Sequence, residues 1–570
     1  MRLPCFLAVG LLAVSTARAE LIVEGLDDDL ERNVRAFATL AAEACDAPDW
    51  RVRRRFRALD RQVRSALEAF GYYSPDITAE LSSTEECWQA VVTVDPGPQV
   101  AFRNIDIRVT GDVTDDPIYE SSERPEGLQE GRPLIHSVYD NFRDAIQIAA
   151  AERGYIEARF TANELRVYPE ELAADVVLHF ESGPRYRFGE VTIEQDFMNP
   201  DLVARFVEIQ YDDPYDAQVL TDAYKDLSNS GYFSSIQIIP EYELAADRRV
   251  PISISVQPGT RIEYNIGVGY ATDTGLRLTA SSRNRRLSGE GRRLDASLTL
   301  SKVRSGVFLE YRKPLDDPRV EWQSYTGSIE TEETDTSQSD LFRVGVRRSR
   351  RFTENWLRTY SLALDYEEFT VGAVDDTSLL VLPAIAIDHK KSDADINPRR
   401  GRRLRFELRG TDQFLGSTTS FIQVLGNGRF ILPAGERGRF ISRVAAGFTG
   451  KDAFDELPPS VRFFAGGDES IRGFSYQSLG PKDEDGNVIG GSHLLIGSLE
   501  YEHHLRGNFY GAAFIDGGNA FDGTDIDPAW GTGLGIKWRS PLGPFSFYVA
   551  HPLNKSEDDF RVHVSLGADL

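Results

Sequence analysis

The chain of 570 residues carries 64 lysines and arginines against 89 aspartates and glutamates, a formal charge of −25. This excess of acid excludes a general nucleic-acid binder, because such proteins neutralise phosphates with basic groups. The length predicts several domains, and 41% hydrophobic residues argue against wholesale disorder. Beyond Glu20 no apolar run reaches roughly 18 residues, so no spanning helix is expected, whereas a membrane β-barrel remains possible.

The first residues have the pattern of an export signal. Arg2 gives a positive start, residues 3–14 are almost entirely apolar, and Ala17-Arg18-Ala19 has small residues where signal peptidase reads. We therefore predict a signal peptide over residues 1–19, cleaved after Ala19. A membrane anchor is the alternative, but the apolar stretch is short for a span.

Export of the chain also bears on the oxidation state of its cysteines. Cys5 belongs to the signal, which leaves Cys45 and Cys87 in the exported chain. An even pair in an oxidising compartment favours a disulfide over a metal site or a catalytic thiol.

Three copies of one pattern precede residue 260. Gly71-Tyr72, Gly154-Tyr155 and Gly231-Tyr232 each lie 26 to 29 residues before a second recurring signal, at 94–98, 180–184 and 256–260. Two signals that recur together at a constant offset indicate repeated domains. The predicted domains are 20–98, 99–184 and 185–260.

The third copy shows the order of elements within a repeat. A strand around Val191 precedes a helix that Asn199 caps and Pro200 opens, and Asp216 can cap a second helix. Gly231 lies where the end of a helix needs a residue in the left-handed conformation. Two strands with alternating apolar residues follow, 232–243 and 250–256. The predicted order is strand, helix, helix, strand, strand. The second copy has the same order with a polar insertion at 111–131.

The first copy carries a prominent basic helix face. Apolar residues from Val52 to Phe70 recur at helical spacing, while Arg53, Arg57, Arg61 and Arg64 occupy the other face. A solvated face is the plainer interpretation, and a contact for an acidic partner or for anionic lipid headgroups is the alternative. The exposed sheet edges of such small domains can also accept an extended client peptide as an added strand.

From residue 261 the pattern changes to strict alternation. Apolar and other residues alternate over 262–270, which no helix produces. Sixteen such stretches begin near residues 262, 275, 293, 307, 322, 341, 358, 378, 402, 420, 439, 493, 510, 531, 545 and 560. An even count of strands after an export signal predicts a 16-stranded antiparallel transmembrane β-barrel over 261–570. A soluble β-sandwich is the competing fold, but it rarely runs so many long strands in successive hairpins.

The longest connection, 449–492, contains Ile471-Arg472-Gly473-Phe474. This segment resembles the inward-folded sixth external loop of the outer-membrane insertase superfamily that includes BamA and TamA. Further resemblances lie at 395–401, 514–521 and 538–544, and the glycine signals of the repeats fit the POTRA domains of that superfamily. The resemblance implies three periplasmic POTRA domains before an outer-membrane barrel.

An arginine folded into a barrel must find acceptors, because an unpaired buried charge is costly. Glu500 and Asp516, on neighbouring strands and facing inward, are the predicted partners of Arg472, and by resemblance they stand where the superfamily's arginine partners stand. Two roles stay open for this cluster: a brace between loop and barrel, or a direct part in the mechanism.

Closing the barrel requires its first and last strands to meet. We predict a lateral seam there, which can open because Gly267 and Gly269 leave few side chains to pack. The predicted seam residues are Ile262, Tyr264, Ile266, Gly267, Val268, Gly269, Tyr270, Phe560, Val562, Val564, Leu566 and Leu570.

Signals of catalysis are weak. His503 and His504 are adjacent in a strand, so they point to opposite faces and cannot chelate one metal together. Residues 531–535 lack the last glycine of the dinucleotide pattern, and no nucleophile elbow, Walker motif or zinc-ligand spacing occurs. The sequence therefore predicts no enzyme, no cofactor and no metal.

The resemblance also implies a function. Five POTRA domains are typical of BamA-like members and two of two-partner-secretion transporters, so three favour a TamA-like member. Such a protein helps to insert or translocate outer-membrane proteins and autotransporters, with a TamB-like inner-membrane-anchored partner, unfolded clients and outer-membrane lipid as contacts. A BamA-like general insertase, a passive or polypeptide-secreting pore, and a scaffold that bridges the envelope are the alternatives.

Overall fold

The fold is known from a computed structural model. It describes residues 20–83, 87–117, 124–394, 397–451, 454–524, 526–540, 543–555 and 560–566. The predicted signal peptide over 1–19, the predicted seam residue Leu570, and parts of the resembling segments at 395–396 and 541–542 lie outside these ranges.

The chain divides into two compact units. The first comprises the described residues up to Thr192 together with 209–221 and 239–252, and the second comprises 193–208, 222–238 and the described residues from Ser253 onward. The division passes through the third predicted repeat. None of the helices in the described ranges combines the length and the apolar character that a membrane-spanning helix needs.

The first repeat folds as predicted, with one change in its helices. Its sheet has the order β1-β3-β2, with β1 parallel and β2 antiparallel to β3. Asp27 caps the first helix by accepting the backbone N–H groups of Asp29 and Leu30. The single long helix expected from Val52 to Phe70 is divided at Ala58. The elements are β1 Glu20–Glu24, α1 Asp28–Phe37, α2 Asp49–Arg57, α3 Leu59–Glu68, β2 Asp76–Ser83 and β3 Trp88–Asp95.

The second and third repeats have small sheets of the same kind. The second contains β4 Ala101–Thr110, α4 His136–Glu152, β5 Arg159–Tyr168 and β6 Ala173–Glu181, in the sheet order β4-β6-β5. One of its two predicted helices is described, and residues 118–123 of the polar insertion lie outside the described ranges. The third contains β7 Arg187–Glu194, α5 Pro200–Ala204, α6 Ala217–Ser230, β8 Phe233–Pro240 and β9 Arg249–Pro258, in the sheet order β7-β9-β8.

The predicted caps of the third repeat are present. The side chain of Asn199 accepts the backbone N–H of Asp201, and Asp216 accepts that of Gln218 at 2.9 Å. Gly231 has a φ of +72°, a left-handed conformation that glycine adopts without a steric penalty. These local signals explain why the helices begin and end where the sequence predicts.

The second half of the chain is a closed β-barrel whose sixteen strands follow chain order, β10 next to β11 and so on to β25. The prediction of sixteen antiparallel strands is confirmed. The strands are β10 Ile262–Ala271, β11 Gly275–Asn284, β12 Arg293–Ser301, β13 Arg304–Pro314, β14 Glu321–Glu333, β15 Ser337–Thr353, β16 Trp356–Val371, β17 Val374–Ser392, β18 Gly401–Thr411, β19 Phe421–Ala434, β20 Gly438–Lys451, β21 His493–Arg506, β22 Phe509–Phe521, β23 Ala529–Ser540, β24 Gly543–Pro552 and β25 Arg561–Leu566.

Side chains alternate between the two faces of this wall. Apolar residues such as Leu499 and Ile515 are about half exposed on the outer face, whereas the intervening Glu500 and Asp516 are buried inside. An apolar outside and a polar inside are the arrangement that a barrel needs in a lipid bilayer. The alternation read from the sequence therefore corresponds to the two faces of a membrane barrel.

The second unit also contains contacts between the third repeat and the turn that joins β13 to β14. Arg319 forms ion pairs with Glu208 and, at 3.4 Å, with Asp226, while Arg205 donates to the carbonyl oxygen of Leu315 at 2.9 Å. The hydrogen bond from Arg319 lowers the pKa of Glu208, and burial raises the pKa of Asp226. Ion pairs of a side chain and a hydrogen bond to the main chain therefore both hold the turn in place.

The cysteine pair generates a stability prediction. The sulfur atoms of Cys45 and Cys87 are bonded, closing a loop with a sequence separation of 42. Because such a crosslink restricts the unfolded chain, replacing both residues by alanine should lower the stability of the first domain by about 4 kcal/mol. Pulse proteolysis in urea measures this as a lower unfolding midpoint. Reduced wild-type protein is the control, and equal midpoints for oxidised and reduced protein would contradict the prediction.

Candidate functional site

The connection between β20 and β21 folds against the inner face of the barrel wall. Its apolar residues join inward residues of strands β21 to β23 in one buried cluster. The cluster contains Phe463, Ala465, Ile471, Phe474, Leu479, Ile496, Ala520 and Ala529. Earlier in the same connection, the carbonyl oxygen of Val461 accepts a hydrogen bond from Gln423 of β19 at 2.8 Å. The loop is therefore packed as an interior layer of the barrel.

Arg472 occupies the centre of this layer. Its guanidinium donates to both carboxylate oxygens of Asp516, at 2.7 and 2.9 Å, and forms a further ion pair with Glu500. Its backbone N–H also donates to Asp516 at 3.0 Å, and the guanidinium carbon lies 3.5 Å from the centre of the Phe514 ring. The structure thus brings Arg472 together with both acids that the sequence proposes as its partners.

The two carboxylates belong to a longer buried ionic network. Glu500 also accepts from Lys537 at 2.8 Å and from the hydroxyl of Tyr548 at 3.0 Å. Lys537 continues to Glu502 at 2.6 Å, and Glu502 accepts from Arg439 at 2.6 Å. Each buried charge therefore has an opposite charge and further hydrogen bonds, which is the condition under which burial of ions is tolerated.

Two glycines make room for the loop tip. Gly531 of β23 lies opposite Asp516 in the ladder, and a Cβ at this position would lie 1.9 Å from the carbonyl oxygen of Arg472. Gly473 has a φ of +100°, which side chains rarely adopt. The main chain of Arg472 can lie on the wall only because Gly531 has no side chain.

The seam between β10 and β25 closes the barrel. Two register pairs join these strands in the described residues, Tyr270 with Leu566 and Ala271 with Ser565, and the backbone N–H of Thr272 donates to the carbonyl oxygen of Val564 at 3.2 Å. The two strands lie at opposite ends of the barrel sequence, so no hairpin joins them.

The structure brings only some of the predicted seam residues together. Ile262, Tyr264, Ile266, Gly267 and Val268 have register partners on β11, and Gly269 approaches the carbonyl of Leu566. Val562 and Val564 pair with Val549 and Phe547 of β24, and Phe560 precedes β25. The predicted meeting of the first and last strands is confirmed, because β10 and β25 close the barrel. The pairing expected between 262–270 and 560–570 is present at Tyr270 with Leu566, whereas residues 561–564 lie beyond the end of β10 in this register. The part of the remaining predicted residues in a lateral seam stays a prediction.

Sequence reasoning missed a cluster that connects the loop to the seam. His563 of β25 accepts the backbone N–H of Gly473 at 2.9 Å and contacts the carboxylate of Asp468. The backbone N–H of Asp468 in turn donates to Asp273, in the turn after β10, at 2.9 Å. Period-two alternation could have placed His563, Lys537 and Tyr548 on the inner face, but the loop fold that brings Asp468 to them has no comparable signal.

The described residues offer no group of three or more histidines, cysteines, aspartates or glutamates arranged to hold a metal ion. The site instead consists of paired charges, an apolar loop core and a sheet junction. Such an arrangement can hold the loop in place and exchange backbone hydrogen bonds at the seam.

Comparison with known proteins agrees with this geometry. The Omp85 superfamily domain matches residues 286–569, and the first POTRA domain of TamA matches residues 20–96. The outer membrane protein assembly factor BamA of Neisseria meningitidis serogroup B is 24% identical over 475 residues, covering 70% of this chain and 59% of that protein. The human sorting and assembly machinery component 50 homolog is 37% identical over 122 residues, 20% of this chain and 24% of that protein.

A solved structure shows the same fold. BamA from Haemophilus ducreyi lacking POTRA domains 1–3 superposes with a TM-score of 0.70 at 17% identity, covering 82% of this chain and 99% of that one. The chain spans little more than half the length of the curated BamA proteins that it matches.

Gly531 provides a test of the loop placement. Gly531→Ala should displace the loop tip, because the new Cβ would overlap the carbonyl of Arg472, and trypsin should then cleave after Arg472 several-fold faster. Cleavage is followed by mass spectrometry on protein reconstituted in lipid. The matched control is Gly497→Ala in β21, where nothing lies within 4 Å of the added atom. Equal protection of Arg472 in both variants would show that the loop does not rest on Gly531.

A double-mutant cycle tests the buried pair. Arg472→Ala and Asp516→Ala should each lower barrel stability by about 3–5 kcal/mol, since each leaves a buried charge without its partner. The double variant should lose clearly less stability than the sum of the losses of the two single variants. Urea midpoints of barrel unfolding in lipid vesicles measure the coupling. The Arg348–Glu321 pair, in which the Arg348 side chain is exposed, serves as control and should show no resolvable coupling, whereas additive costs at Arg472 and Asp516 would refute the pairing.

Proposed function

The chain belongs to the Omp85 superfamily, the outer-membrane insertase superfamily of BamA and TamA, and we propose that it helps client proteins to enter or cross the outer membrane through the seam between β10 and β25. The barrel lies in the outer membrane and the N-terminal domains lie in the periplasm.

The closure of the barrel by its two terminal strands is the observation that carries the proposal. A backbone hydrogen bond in an apolar medium is worth about 4–6 kcal/mol, so two strands can separate in lipid only if new partners replace the lost bonds. β10 and β25 are neighbours that no hairpin joins, so no turn holds them together while their backbone bonds are exchanged. An incoming strand can replace the lost bonds one by one, because its own backbone supplies the same donors and acceptors.

The outer face beside the seam suits a client that comes from or enters lipid. Tyr264, Ile266 and Val268 project from β10 and are exposed, Ile266 by 86% of its surface. A client strand paired to β10 would continue this apolar face. No covalent step is needed for such an exchange, so the proposed activity is assembly without enzymatic chemistry or a cofactor.

The finer assignment is a TamA-like role. It is supported by the match of residues 20–96 to the first POTRA domain of TamA and by the three repeats. We propose unfolded outer-membrane proteins, including autotransporters, as clients, and a TamB-like inner-membrane-anchored protein as the partner of the periplasmic domains. A BamA-like general insertase is the second candidate, favoured by the match to BamA over 70% of the chain.

A pore that secretes polypeptides or conducts passively is the less favoured alternative. The loop core around Phe463 and Ile471 and the network around Arg472 occupy space inside the barrel that an open pore would leave free. Steady conductance without acceleration of client assembly would favour that alternative.

A disulfide across the seam tests the proposal. Ala271 and Ser565 are register partners on β10 and β25, so Ala271→Cys with Ser565→Cys should lock the junction. The locked protein should lose at least about tenfold in the rate of client insertion into liposomes, because no edge becomes available to the client. Reduction should restore the rate.

The matched control keeps the cysteine at Ser565 and changes its partner. Ser546→Cys with Ser565→Cys joins β25 to β24 and leaves the seam free, so it should retain activity when oxidised. Full activity of the oxidised seam pair would contradict lateral opening. Loss of activity in both pairs would indicate that the function depends on Ser565 rather than on the seam.

A further inference from the structure

An exposed row of one tryptophan and three arginines follows the helices of the first domain. Trp50, Arg54 and Arg57 lie on α2 and Arg61 on α3, at successive spacings of four, three and four residues. Residues at such spacings share one helix face. Ala58, between the helices, keeps a right-handed helical conformation with φ −88° and ψ −10°, so the face continues across the break. We name this row the arginine stripe.

The stripe points away from the domain core. The other side of the same helices buries Val52, Leu59, Val63 and Leu67. Arg54, Arg57 and Arg61 are exposed, and Trp50 exposes 63% of its surface. A tryptophan ring combines a large apolar body with a polar N–H, which suits a boundary that is apolar on one side and wet on the other.

The arginines around the stripe have acidic partners. Arg53 pairs with Asp49 at 2.7 Å and Arg64 with Asp60 at 3.0 Å, each one helical turn apart. Arg51 pairs with Glu43 at 2.9 Å. For Arg54, Arg57 and Arg61, the part of the chain that the structure describes provides no acid within ion-pair distance. The Nε–H of Arg57 donates to the carbonyl oxygen of Arg53 at 3.3 Å. All three guanidinium groups thus lack an acidic partner among the described residues, in a protein whose formal charge is −25.

We propose that the arginine stripe docks on the anionic phospholipid headgroups of a membrane leaflet that faces the periplasm. The guanidinium fork matches the geometry of a phosphate and binds it through two hydrogen bonds. Trp50 supplies the amphipathic ring that favours the boundary between lipid and water. The inference goes beyond the proposed assembly function and does not depend on the seam.

The shape of the stripe favours a flat anionic surface over an acidic protein. From Trp50 to Arg61 the row spans about 16 Å along the helix axis, and a helix face is convex. A convex row presents each arginine separately, which suits a plane containing many independent phosphates. A peptide would bury more of itself in a groove than along such a ridge.

Vesicle flotation of the full-length protein tests the proposal. The protein is held in nanodiscs of phosphatidylcholine and mixed with vesicles of phosphatidylcholine, with or without phosphatidylglycerol. Wild-type protein should bind the phosphatidylglycerol vesicles, and added salt should weaken binding. Replacing Arg54, Arg57 and Arg61 together by glutamine should weaken it at least about tenfold, since each arginine contributes to the attraction. Trp50→Ala should weaken it by a smaller factor.

The matched control removes the same charge elsewhere. Arg108, Arg159 and Arg166 are exposed arginines of the second domain, and their triple replacement by glutamine should leave vesicle binding unchanged. Equal loss of vesicle binding in the two triple variants would mean that net charge alone causes the binding, and it would overturn the proposal. It would also be overturned if wild-type protein bound both vesicle types equally, or if the stripe variant bound phosphatidylglycerol vesicles as wild-type does. Circular dichroism verifies that each variant is folded.

Discussion

A sheet in a lipid bilayer cannot leave its backbone donors and acceptors unpaired, and this constraint governs the second half of the chain. Sixteen strands satisfy it by closing on themselves. Fifteen of the junctions come from hairpins that join neighbours in sequence, whereas the junction of β10 with β25 joins the two ends of the barrel. Every junction except this one therefore forms between strands that are close in the sequence. That difference is why we propose the seam as the place where the wall opens and recloses.

The inward loop imposes a second constraint on the same region. Arg472 is held by Glu500 on β21 and Asp516 on β22, while the backbone N–H of Gly473 donates to His563 on β25. One short segment thus connects β21 and β22 to the last strand of the barrel. A buried ionic network of this kind is costly to form and strongly destabilising to break, so it fixes geometry more than it adds stability. In the proposed function, the loop keeps the wall ordered while its edge exchanges partners.

Much of this architecture could be predicted from the sequence. Strict alternation identified all sixteen strands, because a membrane barrel forces an apolar outside and a polar inside. The same alternation placed Glu500 and Asp516 inward, within reach of Arg472. The seam register could not be predicted, since β10 and β25 share no turn that would fix it. The break at Ala58 has no signal in the sequence, and the contact of Asp468 with His563 depends on the fold of the loop, which leaves no period in the sequence.

The central claim is that a client strand pairs with the edge of β10, and site-specific photocrosslinking during client assembly tests it most directly. A photoreactive residue at Val268, on β10, is compared with one at Ile329, on β14, because the two side chains are exposed to nearly the same extent, 59% and 60%. The account predicts client adducts at Val268 and none above background at Ile329. Equal adducts at both positions, or adducts at Ile329 alone, would contradict it.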